Sequence, residues 1–179
     1  METIFGALPQ IEVIPHTIDY IKPVLKTKKN ADTLNIGLLG NINLQKGSAV
    51  IQNMLDIIDK SNIYLIHFGT SGPSIKNSNF IQLGKYRQED LSDLTLEYDI
   101  DIFFVSSIWP ETFSYTTQEV IEMGMPIACF DLGAPAERVK EYDKGIIIPE
   151  ITALCALETM IKWHENQGGK YFRSIENSN

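Results

Sequence analysis

The sequence predicts an α/β domain in which a parallel sheet of about six strands lies between two layers of helices. Three observations predict it. Six short runs are apolar throughout rather than alternating, as strands buried on both faces are. Stretches of helical period separate most of them, the pattern of βαβ units. The length, 179 residues, suits one domain that buries roughly 70% of its unfolded surface without staples. Crossovers between parallel strands are right-handed, so the expected architecture is a Rossmann-like three-layer αβα sandwich.

The elements run in order along the chain. Residues 1–33 read as irregular, with a short strand at I11-E-V-I-P15, a connection at H16-T-I-D-Y-I-K-P23, and a solvated charge run from Lys26 to Asp32. L34-N-I-G-L-L39 is the first core strand, and G40-N-I-N-L-Q-K-G47 is the loop after it. Residues 48–60 carry a helical period, with Val50, Met54, Leu55 and Ile58 on one face. I63-Y-L-I-H-F68 is the second strand, closed by G69-T-S-G-P73; N79-F-I-Q-L83 is the third, closed by Gly84. Residues 88–98 read as a helix, 102–106 as the fourth strand, and about 115 to Gly124 as a helix. Residues 126–130 form the fifth strand, 134–142 a helix, 145–149 the sixth strand, and 151 to about 165 the last helix, striped by Leu154, Leu157 and Ile161. Residues 168–179 read as a polar tail. The expected organisation is a linker segment over 1–33, the domain over 34–167, and that tail.

Composition excludes several functions. Net charge is -8 and the pI is about 4.8, which argues against a nucleic-acid partner. Two cysteines, Cys129 and Cys155, and three scattered histidines give no disulfide framework and no metal spacing, so no metal is expected. No apolar run reaches the roughly 18 residues of a membrane span. The N-terminus is too polar for a signal peptide, and a cytoplasmic location is expected.

Ligands of open parallel sheets bind beyond the carboxyl ends of the strands. The residues just past each strand are therefore informative: Gly40, Asn41, Lys46 and Gly47 after the first, Gly69 after the second, and G84-K-Y-R87 after the third. S107-I-W-P-E-T-F-S-Y-T-T-Q-E119 comes after the fourth, and D131-L-G-A-P-A-E137 after the fifth. Glycines, cations and hydroxyls at one edge suit a phosphate or nucleotide. Each piece has a plainer reading. Lys46 opposes the dipole of the helix it precedes and is either an exposed lysine or an anion ligand. Tyr86 is either a loop tyrosine or a stacking platform for a base. His67 reads as a core histidine. Thr116-x-x-Glu119 has the form of a capping box, which leaves Glu111 unexplained. Alternatively, the helix start presents the amides and hydroxyls of Ser114 to Thr117 to a diphosphate, while Glu119 accepts from sugar hydroxyls and Glu111 faces the transferred group.

Assembled, these residues resemble the donor-binding half of family 4 (group 1) retaining glycosyltransferases of the GT-B fold. The carriers are I11-E-V-I-P-H-T-I-D19, G40-x5-K-G47, the Gly69 loop, N79-F-I-Q-L-G84, E89-D-L-x-x-L94, D99-I-D-I-F-F-V-S-S107, E111-T-F-S-Y-T-T-Q-E119 and G133-A-P-A-E-R138. W109-P-E-T-F-S-Y115 with L132-G-A-P-A-E-R138 looks like a subgroup of bacterial surface-polysaccharide assembly. The resemblance implies a nucleotide-diphosphate sugar as donor substrate, no metal, and an acceptor-binding N-terminal domain that this chain lacks. Any membrane association would lie with that domain. It also implies that Glu119 binds ribose, Glu111 the sugar, and Lys46 the diphosphate, that Phe113, Ser114, Tyr115 and Thr116 present amides to the phosphates and sugar, and that Tyr86 frames the base. Many members carry arginine where this chain has Asn41, so either Arg87 or Lys85 supplies a second cation, or phosphate binding rests on Lys46 and amides. The alternative is a non-catalytic nucleotide-sugar-binding or partner module of the same fold.

Overall fold

A computed structural model describes residues 18–26, 32–72 and 75–169. In chain order the elements are β1 (Leu34–Leu39), α1 (Ser48–Ile58), β2 (Ile63–Phe68), β3 (Phe80–Gly84), α2 (Leu91–Glu97), β4 (Ile102–Val105), α3 (Tyr115–Glu122), β5 (Ile127–Phe130), α4 (Gly133–Glu141), β6 (Gly145–Ile148) and α5 (Ala153–Asn166). The six strands are all parallel and lie in the order β3-β2-β1-β4-β5-β6. The order reverses between β1 and β4, which opens a crevice at their carboxyl ends. The three-layer fold expected from the sequence is the one observed.

The layers explain the strand composition. α1 and α5 cover one face, with Ile51, Leu55 and Leu157 packed on Ile36, Leu38 and Phe104. α2, α3 and α4 cover the other, with Leu91, Val120 and Val139 packed on Ile66, Phe68 and Phe103. Phe103 and Phe104 thus enter different cores, so both faces of β4 demand apolar residues. The predicted α1 face, Val50, Met54, Leu55 and Ile58, is buried throughout.

Several boundaries differ from expectation. α1 stops at Ile58 because Lys60 turns left-handed, with φ 58°. Asn79 lies before β3, not in it; its amide donates to Ser61 O and Ile63 O at 3.0 and 2.8 Å. Residues 88–90 form a 3-10 turn ahead of α2. Leu154 is 44% exposed, because the buried face of α5 is centred on Ala153, Ala156, Leu157 and Met160. The strand expected at Ile11–Pro15 and the tail from residue 170 lie outside the described residues.

The charge run is corrected at its first residue; residues 27–31 lie outside the described residues. Lys26 is not solvated. Its Nζ donates to the Asp99 and Ile100 carbonyls, both at 2.8 Å, and to Asp101 Oδ1 at 2.6 Å. The other Asp101 oxygen accepts from Asn35 N at 2.9 Å. The ammonium group thus satisfies carbonyls just past the α2 C-terminus, where helix carbonyls lack partners. Asp101→Ala would leave the Asn35 amide without its acceptor and Lys26 with the Asp99 carboxylate alone, 3.0 Å away, and is expected to cost about 1–3 kcal/mol in urea unfolding. A cost under about 0.5 kcal/mol would show that Lys26 is solvated after all.

Candidate functional site

Gly47 sets the crevice. It caps α1 with φ 79°, and a Cβ there would lie 2.0 Å from the Ser106 carbonyl oxygen. The loop after β1 therefore passes directly against the end of β4. Ser106 Oγ donates to Lys46 O at 2.7 Å and Ile108 N to Gln45 O at 3.0 Å, which fastens the two loops. On the other side, Gly40 N donates to Phe68 O and Ile42 N to Thr70 O, both at 2.9 Å. Gly69, with φ 148°, comes so close that a Cβ would meet Gly40 O at 1.9 Å.

This fastening brings Lys46 and Glu111 together. Lys46 Nζ lies 2.7 Å from Glu111 Oε1. The approach is off the hydrogen-bonding direction, so buried Oε1 has an ionic neighbour but no aligned donor. The Glu111 backbone is held from the far side, where Ala134 N donates to Glu111 O at 3.0 Å. Gly133, with φ 63°, allows this contact: a Cβ would lie 2.9 Å from Glu111 N. A cavity of about 100 Å³ opens between these groups, lined by Gly40, Asn41, Lys46, Ser106, Glu111 and Thr116 among others.

α3 starts at this cavity, but not through a capping box. Ser114 is the N-cap, and its Oγ accepts from Thr117 N at 3.4 Å. Thr117 Oγ1 donates to Ser114 Oγ at 3.0 Å, and Thr116 Oγ1 lies 3.1 Å from it. The Ser114 hydroxyl is thus committed to the helix, while the other first-turn amides face outward as at any helix start. Phe113 is clamped between Tyr115, edge-on at 4.7 Å, and Arg138, whose guanidinium lies 4.2 Å from the ring centre. Tyr115 is 55% exposed.

Glu119 does not reach back to the helix start. It is 2% exposed, and its Oε1 accepts from Tyr20 Oη at 2.9 Å and Gln88 Nε2 at 3.4 Å. Burial raises its carboxyl above the ordinary 4.5, and the Tyr20 hydrogen bond partly offsets this. A second groove runs past it, lined by Gly40, Gly69, Thr70, Lys85, Tyr86 and Gln88. Tyr86 is half-buried there, edge-on to Phe68 at 6.2 Å. Arg87 does not line this groove: its Nε lies 3.7 Å from both Glu89 and Asp90, and it borders an adjoining groove that shares Lys85 and Tyr86. Among the described residues no three His, Cys, Asp or Glu side chains group as metal ligands.

Sequence reasoning missed several contributors. His67 is fully buried and its Nε2 donates to Gly40 O at 2.8 Å, so it orients the loop after β1. The ring stays neutral, because burial lowers its pKa below the ordinary 6.5. Gly133 and Ala134 brace Glu111, and their sequence signal was the G133-A-P-A motif. Tyr20 and Gln88 bind Glu119 from 99 and 31 residues away, and no local pattern marks either.

The raised Glu119 pKa has a sign. The folded state holds the proton more tightly than the unfolded one, so stability falls as pH rises above about 4.5 and levels off once the folded pKa is passed. Glu119→Gln is therefore expected to raise the melting temperature of the ligand-free protein at pH 7, with the gain vanishing at pH 4. A lower melting temperature at pH 7 would contradict it. Gly47→Ala is expected to cost at least about 1–3 kcal/mol, since both φ and the Ser106 contact forbid it.

No curated protein sequence matches the chain significantly. Solved structures with the same fold include a sucrose-phosphate synthase from Thermosynechococcus elongatus, with TM-score 0.66 and 16% identity over 83% of this chain and 41% of that one. The Anabaena protein Alr3699/HepE, in complex with UDP and glucose, gives 0.62 and 15% over 76% of this chain and 40% of that one. The C-terminal domain of a glycosyl transferase group 1 family protein (LpcC) from Francisella tularensis gives 0.65 and 13% over 85% and 90%. The chain thus spans about two fifths of the first two and most of the third. The family profile described as glycosyl transferases group 1 matches residues 26–179. The chain belongs to the glycosyl transferases group 1 family.

Proposed function

We propose that the domain binds a nucleotide-diphosphate sugar and presents it for transfer to a hydroxyl acceptor with retention, as in family 4 enzymes. One observation carries the reading. Lys46 and Glu111, on separate loops, meet 2.7 Å apart at the strand-order reversal, beside the start of α3. A diphosphate fits there because a cation and a helix N-terminus both favour it. As the bond from the anomeric carbon to the diphosphate oxygen breaks, its electron pair leaves on the diphosphate, the acceptor oxygen bonds that carbon from the same face, and the acceptor's proton passes to the departing diphosphate. The Lys46 ammonium then stabilises the developing charge, the work a metal ion does elsewhere. Lys46 exchanges Glu111 for phosphate, and Glu111 turns to the sugar hydroxyls. Glu119 takes the ribose hydroxyls, and the groove past Gly69 and Tyr86 takes the base. Asn41 stands where an arginine is common, so Lys85, which borders that groove, is the available second cation. The UDP-glucose held by another Alr3699/HepE structure of this fold is the kind of donor intended.

The acceptor half belongs to the remaining length of such enzymes. Leu44, Ile108, Trp109 and Tyr115 are exposed on the loops after β1 and β4 and at the start of α3, apolar surface suited to a second domain. This domain by itself is therefore expected to bind donor weakly and transfer little. Bacterial surface-polysaccharide assembly fits the subgroup motifs in the sequence, and a cytoplasmic location fits its two free cysteines, Cys129 and Cys155. Among the described residues no helix is long and apolar enough to cross a membrane.

The test is thermal melting with a panel of nucleoside diphosphates and nucleotide sugars. One base type is expected to stabilise the wild type, by about 2.7 kcal/mol at a hundredfold excess over Kd. Lys46→Ala and Glu119→Ala are expected to lose most of that shift. If no nucleotide shifts the wild type, or both variants respond like it, the donor-site assignment fails.

A further inference from the structure

Residues 18–26 cross α2 and α3 as a strap with four fastenings. Lys22 engages Ser92 Oγ on α2 through both its N (3.2 Å) and its O (2.8 Å). Val24 is buried, and its N donates to Met123 O at the end of α3 at 2.8 Å. Lys26 roots the strap among Asp99, Ile100 and Asp101. These three contacts are made away from the crevice. The fourth is made inside the candidate site, where Tyr20 Oη donates to Glu119 Oε1.

That oxygen is already full. A carboxylate oxygen offers two lone pairs, and Oε1 accepts from both Tyr20 and Gln88. A vicinal diol grips a carboxylate with one hydroxyl on each oxygen, so it cannot be seated while both donors stay. Tyr20 has the chemistry of the hydroxyl it blocks. Burial and the Glu119 carboxylate push its phenol up to about 12, so it remains a protonated donor at neutral pH. Without some donor, the 2%-exposed carboxylate would be left poorly satisfied in the empty site.

We propose that Tyr20 stands in for a ribose hydroxyl: it occupies Glu119 in the empty site, and binding of a nucleoside diphosphate displaces it and frees that end of the strap. The proposal rests on Glu119 as the ribose acceptor. Because the fastenings at Lys22, Val24 and Lys26 do not touch the ligand, the release is confined to the chain before Lys22. Donor occupancy is thereby coupled to the segment that enters the domain, and the coupling is reciprocal. Whatever holds Tyr20 on Glu119 weakens donor binding.

Tyr20→Phe tests this, since it keeps the ring and deletes the competing hydroxyl. Titration calorimetry uses whichever of UDP, GDP or ADP stabilises the wild type. Loss of one competing hydrogen bond is expected to tighten binding about fivefold, although the ligand-free variant melts earlier. In the wild type, chymotryptic cleavage after Tyr20 is expected to quicken at saturating nucleotide, with cleavage sites read by mass spectrometry. A purely structural tyrosine would give the opposite on both counts. If Tyr20→Phe binds equally or more weakly while Glu119→Gln loses affinity, the displacement is overturned and the donor site stands. If Glu119→Gln binds like the wild type, or none of the three nucleotides binds, both fall.

Discussion

The contact between the backbone at Gly47 and the Ser106 carbonyl is the constraint on which the site depends. A reversal of strand order leaves a crevice in any sheet of this kind, but its width is set by how closely the flanking loops approach. Here no Cβ fits between them. The approach lets Ser106 Oγ and Ile108 N bond the carbonyls of Lys46 and Gln45, and the same bonds fix the bases of both loops. Lys46 and Glu111 then meet with little freedom left to lose on binding, which is what preorganisation means in energetic terms. On the other flank the Gly69–Gly40 approach and the His67 hydrogen bond set the second wall in the same way.

The site holds polar groups that a fold selected for stability alone would avoid. Glu119 is buried, and burial opposes its charge. Glu111 Oε1 is buried with no aligned donor, and His67 Nδ1 is buried without a partner. Burying such groups costs free energy unless each finds a hydrogen bond. Away from the crevice, the Lys26–Asp101–Asn35 network is by contrast closely paired. Local departures of this kind concentrate where function needs them. On our reading, the ligand gives Glu111 the hydroxyl donors it lacks and replaces partners already present, phosphate taking the place of Glu111 on Lys46 and ribose that of Tyr20 on Glu119.

Much of the fold was legible because its signals are local. Apolar strands, the α1 face and the glycine stops each occupy a few consecutive residues, and β1 and β2 match expectation to the residue. The site loops were legible as well, since the carboxyl ends of parallel strands are a general address. Less legible were groups whose meaning depends on distant partners. Thr116-x-x-Glu119 looked like a cap, yet Ser114 took that role and Glu119 turned to Tyr20, 99 residues away. Lys26 looked solvated because its neighbours in sequence are charged; its partners lie more than seventy residues on. Arg87 looked available to the crevice, but Glu89 and Asp90 stand closer.

The central claim is that the crevice between β1 and β4 is the nucleotide site. Amide NMR of the labelled domain during titration with its preferred nucleoside diphosphate tests it most directly. The predicted perturbations fall on Gly40–Gly47, Gly69–Thr70, and the loop and helix start from Ser106 to Thr117. Asn35 and Met125, at the opposite edge of the sheet, should stay unmoved. Perturbations centred on that opposite edge, with the Gly47 and Glu111 amides unchanged, would contradict the account.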